Sequence, residues 1–306
     1  MTTLVSTPPD AARPRPTLKT WLMAVRPKTL TAGAVPVLVA TALAYGNGVG
    51  RLLPALAALV GAVLIQIGTN FINDFYDYKK GADTEERLGP KRVTQSGLIA
   101  PGTVLLGGLG CFALATLVGL YLVAVGGLPI VFIGVASLLC GYAYTGGPFP
   151  LAYLGLGDLF VLIFFGIVAV TGTYYVQAGF VSPAAWWASL PVGAIGTCLI
   201  VVNNQRDAST DVKANKRTMV VRFGQGFGRA EYVLLLVASY VTPFVLFAKG
   251  YASAWVFLPL LSLPLVVPPL KLMLKAEGAA LNPALGGTAK LQMLFGLLFA
   301  VGLYLR

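Results

Sequence analysis

The chain has 306 residues, 57% of them hydrophobic and only 11% charged. A water-soluble domain carries about a quarter charged residues, so the composition excludes an ordinary soluble protein and makes lipid the main solvent. The net charge of +11 does not indicate a nucleic-acid partner, because the basic residues lie between apolar segments, where membrane topology accounts for them.

A membrane-spanning helix needs about 20 apolar residues, so the length allows about nine spans. The opening stretch MTTLVSTPPDAARPRPT is polar and proline-rich, with no secretory h-region and no cleavage site. Residues 1–18 are therefore expected to form a disordered cytoplasmic tail, and 19–306 a single transmembrane domain. Apolar stretches predict helices near 29–46, 53–74, 101–124, 128–143, 158–179, 185–204, 231–249, 253–272 and 288–305. Pro36, Pro191 and Pro264 fall inside these spans, where neighbouring helices tolerate a kink. Gly107, Gly108, Gly119, Gly134 and Gly141 are expected to permit close helix packing. Cys111, Cys140 and Cys198 are far apart in apolar segments with no CxxC spacing, so packing is their expected role. The expected fold is an all-α membrane protein, about nine transmembrane helices in one bundle with cytoplasmic aspartate-rich loops.

With the N-terminus placed in the cytoplasm, 19 of the 22 Lys and Arg residues fall on the cytoplasmic side. Only Arg51, Lys249 and Arg306 remain on the other. This is a strong positive-inside signal and places a multi-pass protein in the cell's inner (plasma) membrane. Tyr174, Tyr175, Trp186 and Trp187 then flank an outer turn, as an interfacial belt would.

Five of the eleven acids, Asp74, Asp77, Asp83, Glu85 and Glu86, crowd into NFINDFYDYKKGADTEERLGPKR, between Asn70 and Arg92. A second cluster, VVNNQRDASTD, ends the sixth predicted helix. Aligning Asn73 with Asn203 and Asp77 with Asp207 brings out a weak internal repeat, each half followed by a basic pair, Lys91-Arg92 or Lys216-Arg217. Asn73 and Asp77 are spaced i,i+4 and share a helix face, as do Asp207 and Asp211. Both pairs sit at a helix C-terminus, where the dipole is already negative. Two carboxylates ~4 Å apart at an effective dielectric of ~20 repel by about 4 kcal/mol. A divalent cation would relieve that repulsion. Oxygen ligands in a chain without histidine point to Mg²⁺ rather than zinc, and the flanking Lys and Arg residues suit a polyanion such as diphosphate. The competing reading is a set of solvated loop charges with no metal. The P-loop pattern GxxxxGK[ST] is absent.

NDFYDYKKGAD and DASTD resemble the two aspartate-rich motifs of the UbiA-type intramembrane prenyltransferases. AVRPKTL, GADTEERLGPKRVTQSGLI, AYTGGPFPLAYLGLGD and VNNQRDASTDVKANKRT resemble the branch of that family that prenylates 1,4-dihydroxy-2-naphthoate in menaquinone synthesis. The family's first motif runs N-D-x-x-D-x-x-x-D. Asn73, Asp74 and Asp77 match it, Gly81 stands at the last position, and Asp83 follows two residues later. Asp207 and Asp211 match the second motif.

The resemblance implies an Mg²⁺-dependent enzyme that moves a polyprenyl group from polyprenyl diphosphate to 1,4-dihydroxy-2-naphthoate, releasing CO₂ and diphosphate and giving demethylmenaquinol. It implies Asn73, Asp74, Asp77, Asp83, Asp207 and Asp211 as metal residues, with Asp77, Asp207 and Asp211 the most directly catalytic. Arg26, Lys28, Lys91, Arg92, Lys213 and Arg217 become diphosphate candidates. Tyr142, Tyr144, Asp158 and Asn204 are candidates to face the acceptor, against interfacial packing for the tyrosines and N-capping for Asp158. The alternatives are another aromatic acceptor, such as homogentisate or 4-hydroxybenzoate, and a cation-coupled transporter. Transporter sites lie near the bilayer midplane, whereas these acids sit at helix ends.

Overall fold

The computed structural model describes residues 16–305, the side chain of Lys28 excepted. The proposed tail at 1–18 thus lies almost wholly outside the described residues, and a short helix, α1 (Leu18–Val25), already begins at its boundary. The helices that follow are α2 (Pro27–Gly46), α3 (Leu52–Lys79), α4 (Pro101–Gly126), α5 (Leu128–Ala143), α6 (Gly157–Ala178), α7 (Pro183–Lys213), α8 (Met219–Phe223), α9 (Gln225–Ala248), α10 (Ala254–Lys275) and α11 (Asn282–Tyr304). Eight of them, among the described residues, are long and apolar enough to cross a bilayer, and α5 is a shorter apolar ninth.

Composition decides which helix goes where. α7 is rich in Ala, Gly and Ser and is buried along most of its length against α9, α6 and α11. α4 packs on α3 and leaves Leu106, Leu114 and Leu117 exposed on its far side. Such outward leucines belong in lipid, where burial within protein has no advantage. The centre of the bundle is Val39, Leu43, Tyr174, Ile195, Phe295 and Phe299.

Close approaches depend on a few glycines. A Cβ on Gly166 would lie 2.8 Å from the Cα of Gly193 and 2.9 Å from the Ser189 carbonyl oxygen, so α6 and α7 touch backbone to backbone. Here α6 widens into a π-turn over Leu162–Val168. Gly108 meets the turn at Gly68 in the same way. Gly119 and Gly134, expected to serve packing, instead face open space. Tyr174 departs from the interfacial belt: it is fully buried, and its hydroxyl accepts a 2.8 Å hydrogen bond from Asn47 Nδ2.

α3 and α7 extend beyond the expected ends, to Lys79 and Lys213. Asp77, Asp207 and Asp211 therefore lie on helices, and of the aspartates proposed as ligands only Asp83 lies in a loop. The helices continue because their polar ends are packed by the loops around them. Three hydrogen bonds gather those loops at one end of the bundle. Lys80 Nζ donates to the Thr145 carbonyl at 2.6 Å, Arg217 N to the Tyr153 carbonyl at 3.0 Å, and Asn282 Nδ2 to the Leu88 carbonyl at 2.8 Å.

Candidate active site

At that end α2, α3, α6 and α7 and the α3–α4 loop enclose a polar cavity of about 410 Å³. Arg26, Asn73, Asp74, Asp77, Asp83, Lys91, Arg92, Asn204, Asp207 and Asp211 all line it. The two clusters that are far apart in sequence thus face one space. Arg87, Arg206 and Lys216, which sequence reasoning did not select, line it too.

The expected repulsion between carboxylates is relieved by buried cations. Arg206 Nε and Nη2 grip both oxygens of Asp207, at 2.7 and 2.6 Å. Lys216 Nζ lies 3.3 Å from Asp211 Oδ1. Asp83 is paired with Arg87 and lies 3.5 Å from Arg92 Nε, while Arg92 Nη2 stands 3.9 Å from Asp77 Oδ2. Burial pushes the Asp83 carboxyl up to about 7, against the pull of Arg87. Burial alone would lower Lys216, but Asp211, Asp77 and Asp207 outweigh it and raise it. No three acidic side chains among the described residues form a ready-made metal cluster.

Among the described residues Asp74 makes no such close ion pair; Arg26 and Arg87 act on it from farther away. Asp74 is 1% exposed, and neither carboxylate oxygen has a well-formed hydrogen bond among the described residues, the Val93 backbone N–H only approaching it; Asp211 Oδ2 is also buried without one. Buried acceptors are nearly always satisfied, so these oxygens, in a wall without nitrogen or sulfur ligands, fit a hard cation such as Mg²⁺.

Arg26 reaches this wall from the α1–α2 junction. Its backbone is left-handed (φ 55°), a conformation that costs a non-glycine residue about 1–2 kcal/mol. The junction is held by Asn70, whose Nδ2 donates to the Val25 carbonyl at 2.9 Å and Thr29 Oγ1 at 3.1 Å. Desolvation lowers the Arg26 pKa, opposed chiefly by Asp74.

Other proposed residues are placed elsewhere. Lys213 pairs with Glu86 on the exposed surface, and Arg217 is exposed and does not line the cavity. The Lys28 side chain lies outside the described residues. Tyr142 hydrogen-bonds to Tyr76 and lines neither cavity. Asp158 is not an N-cap: Leu156 occupies that position without a side-chain cap, and Asp158 in the first turn of α6 accepts from Asn204 Nδ2 at 2.9 and 3.2 Å. Lys216 was legible only as the neighbour of Arg217. Asp207 follows Arg206 directly, and adjacency in a helix does not by itself reveal a bidentate pair.

A second cavity, about 390 Å³ and apolar, runs between α3, α4, α5 and α6. Gly119, Gly134 and Cys140 line it, as do Phe160 and Phe164, whose rings stack at 6.0 Å. Gln66, Thr69, Tyr144, Val161 and Phe165 line both cavities, so these residues form the junction between them.

Residues 34–301 match the UbiA prenyltransferase family. The chain is 36% identical over 292 residues to the 1,4-dihydroxy-2-naphthoate octaprenyltransferase of Escherichia coli (strain K12), covering 93% of this chain and 95% of that one. It is 34% identical over 283 residues to the enzyme of the same name from Bacillus subtilis (strain 168), covering 91% and 90%. Among solved structures, a UbiA homolog from Archaeoglobus fulgidus bound to DMAPP and Mg²⁺ superimposes with a TM-score of 0.58 at 16% identity, covering 92% of this chain and 99% of that one.

Proposed function

The chain belongs to the UbiA prenyltransferase family, and from that premise we propose that it transfers a polyprenyl group from polyprenyl diphosphate to 1,4-dihydroxy-2-naphthoate, with loss of CO₂ and diphosphate, giving demethylmenaquinol. The observation that carries the reading is the junction of a charged cavity with an apolar one. That pairing suits an amphiphile with a diphosphate head and a hydrocarbon tail. The names of the relatives supply the acceptor.

Asn73, Asp74, Asp77, Asp83, Asp207 and Asp211 would hold Mg²⁺, which when bound adds positive charge against the diphosphate oxygens. Arg26, Arg87, Lys91, Arg92 and Lys216 add fixed positive charge around the same space. The allylic C–O bond breaks, and its electron pair leaves with diphosphate. The allylic cation forms at the junction beside Tyr144 and Phe165, where apolar walls from α6 keep water away. The electron-rich ring supplies the pair for the new C–C bond, and its carboxylate departs as CO₂, returning a pair to the ring. Charge balances with no net proton removed, so a chain without histidine suffices. The charge bias supports a site opening to the cytoplasm, in the cell's inner (plasma) membrane.

The test is purified protein with Mg²⁺, prenyl diphosphates of several lengths, and 1,4-dihydroxy-2-naphthoate, homogentisate or 4-hydroxybenzoate. Prenylated naphthalenediol and stoichiometric diphosphate are expected. Product from another acceptor alone would overturn the acceptor assignment, and no diphosphate release with any pair would favour transport.

A further inference from the structure

The loop between α5 and α6, within AYTGGPFPLAYLGLGD, carries a residue given no role so far. Tyr153 is 9% exposed, and its hydroxyl donates to Asp77 Oδ1 at 3.0 Å. Its ring has Lys80 Nζ 4.6 Å from the centroid and Lys216 Nζ at 6.0 Å. Lys80 follows the end of α3, and Lys216 holds Asp211 after the end of α7. The Tyr153 carbonyl accepts from Arg217 N. One side chain therefore binds the carboxylate of the first cluster and lies within 6.0 Å of a lysine at each cluster.

The loop is built to keep it there. Leu151 N and Ala152 N donate to the Ala143 and Tyr144 carbonyls at 2.9 Å each, folding the loop back onto the end of α5. Gly155 has φ 73°, and a Cβ there would lie 2.6 Å from the Arg217 carbonyl oxygen, so the loop is pressed against the segment after α7. Eight residues before Tyr153, Thr145 Oγ1 donates to Asn73 Oδ1 at 2.8 Å.

We infer that Tyr153 is a positioning residue that fixes the Asp77 carboxylate and couples the two aspartate clusters through its ring, which both Lys80 and Lys216 approach. The inference rests on the reading that those clusters hold a divalent cation. A hydroxyl donating to one oxygen of a ligating carboxylate sets the direction of the other, and removing such outer partners costs about 10–100-fold in metal affinity or activity. The ring serves a second purpose. Aromatic faces attract ammonium groups within about 6 Å, so one ring attracts a lysine from the end of α3 and one that pairs with Asp211.

The test is Mn²⁺ titration of the full-length, detergent-solubilised protein with inorganic pyrophosphate present, followed by electron paramagnetic resonance, beside its melting temperature. Tyr153→Phe keeps the ring and loses only the hydroxyl; about tenfold or more weaker Mn²⁺ binding is expected. Tyr153→Leu loses the ring as well and is expected to bind more weakly still. A merely structural role would lower the melting temperature and leave Mn²⁺ affinity unchanged. Wild-type affinity in Tyr153→Phe, with affinity lost in Asp77→Asn, overturns the inference and leaves the metal site intact. Wild-type affinity in Asp77→Asn overturns the metal reading itself. Should Tyr153→Phe fail to give monodisperse protein, Lys80→Met frees the ring while leaving the hydroxyl; wild-type affinity there overturns the inference too.

Discussion

Asp77 and Asp207 occupy matching positions in the sequence, yet their surroundings separate them. Asp77 accepts a neutral hydroxyl from Tyr153 and stands 3.9 Å from Arg92. Asp207 is gripped on both oxygens by Arg206, which is only 2% exposed. Losing transition-state charge stabilisation costs about 10²–10³ in rate, so Asp77→Asn and Asp207→Asn should both be nearly inactive in a diphosphate-release assay. Only Asp207→Asn should also lose stability, because a buried guanidinium left without its partner costs about 3–5 kcal/mol. Thermal melts of the two variants check this, and equal melting temperatures would contradict the structural role given to Arg206. Glu85 and Glu86 are exposed, so their Gln variants should keep most activity. Asp83 is buried between Arg87 and Arg92 although it is displaced from the family position, so Asp83→Asn is expected to cut activity severely; near-wild-type turnover would mark it as a loop charge.

The apolar cavity is a property of elements, since four helices leave it by packing around small residues. Gly119 on α4 and Gly134 on α5 both face its open space. A large side chain at either would occupy that space without meeting neighbouring backbone. Gly134→Phe is expected to raise KM several-fold for long prenyl diphosphates and to leave the shortest donors little changed, as a chain-length series would read. The opposite holds at Gly166, where a Cβ collides with Gly193. Gly166→Leu should therefore destabilise the bundle, with overpacking costing about 1–3 kcal/mol, seen as a lower melting temperature with no preference for donor length.

The whole molecule sorts its charges by end. Arg51 N bonds to Gln177 Oε1, and Lys249 Nζ stands 5.6 Å from the Trp187 ring, at the end away from the site. Glu85→Cys, in a background without the three native cysteines, should react with impermeant maleimide only from the cytoplasmic face. Labelling from outside intact cells would invert the topology and with it the side on which the charged cavity opens. Chelation acts at the same scale. Turnover should vanish in EDTA and return with Mg²⁺, and full turnover in excess EDTA would contradict the metal reading.

Sequence by itself determined the solvent, the order of the spans and the two aspartate clusters. These are properties of local composition: a run of apolar residues must seek lipid wherever it is, and an i,i+4 pair must share a face on any helix. It could not supply the pairing of charges across helices. That Asp74 is left without a close ion pair while Asp207 is doubly held depends on which buried cation each helix meets. It could not place Lys213 and Arg217 on the surface and Lys216 within, because helix phase near a terminus depends on where the helix stops. Nor could it tell packing glycines from cavity-lining ones, since Gly108 and Gly119 look alike until their neighbours are known. Tyr153 stands in a segment whose resemblance to the family gives it no role, and only the tertiary fold brings it near two lysines and an aspartate distant in sequence. Contacts of that kind follow from the shape of the whole bundle, which no stretch of the chain encodes alone.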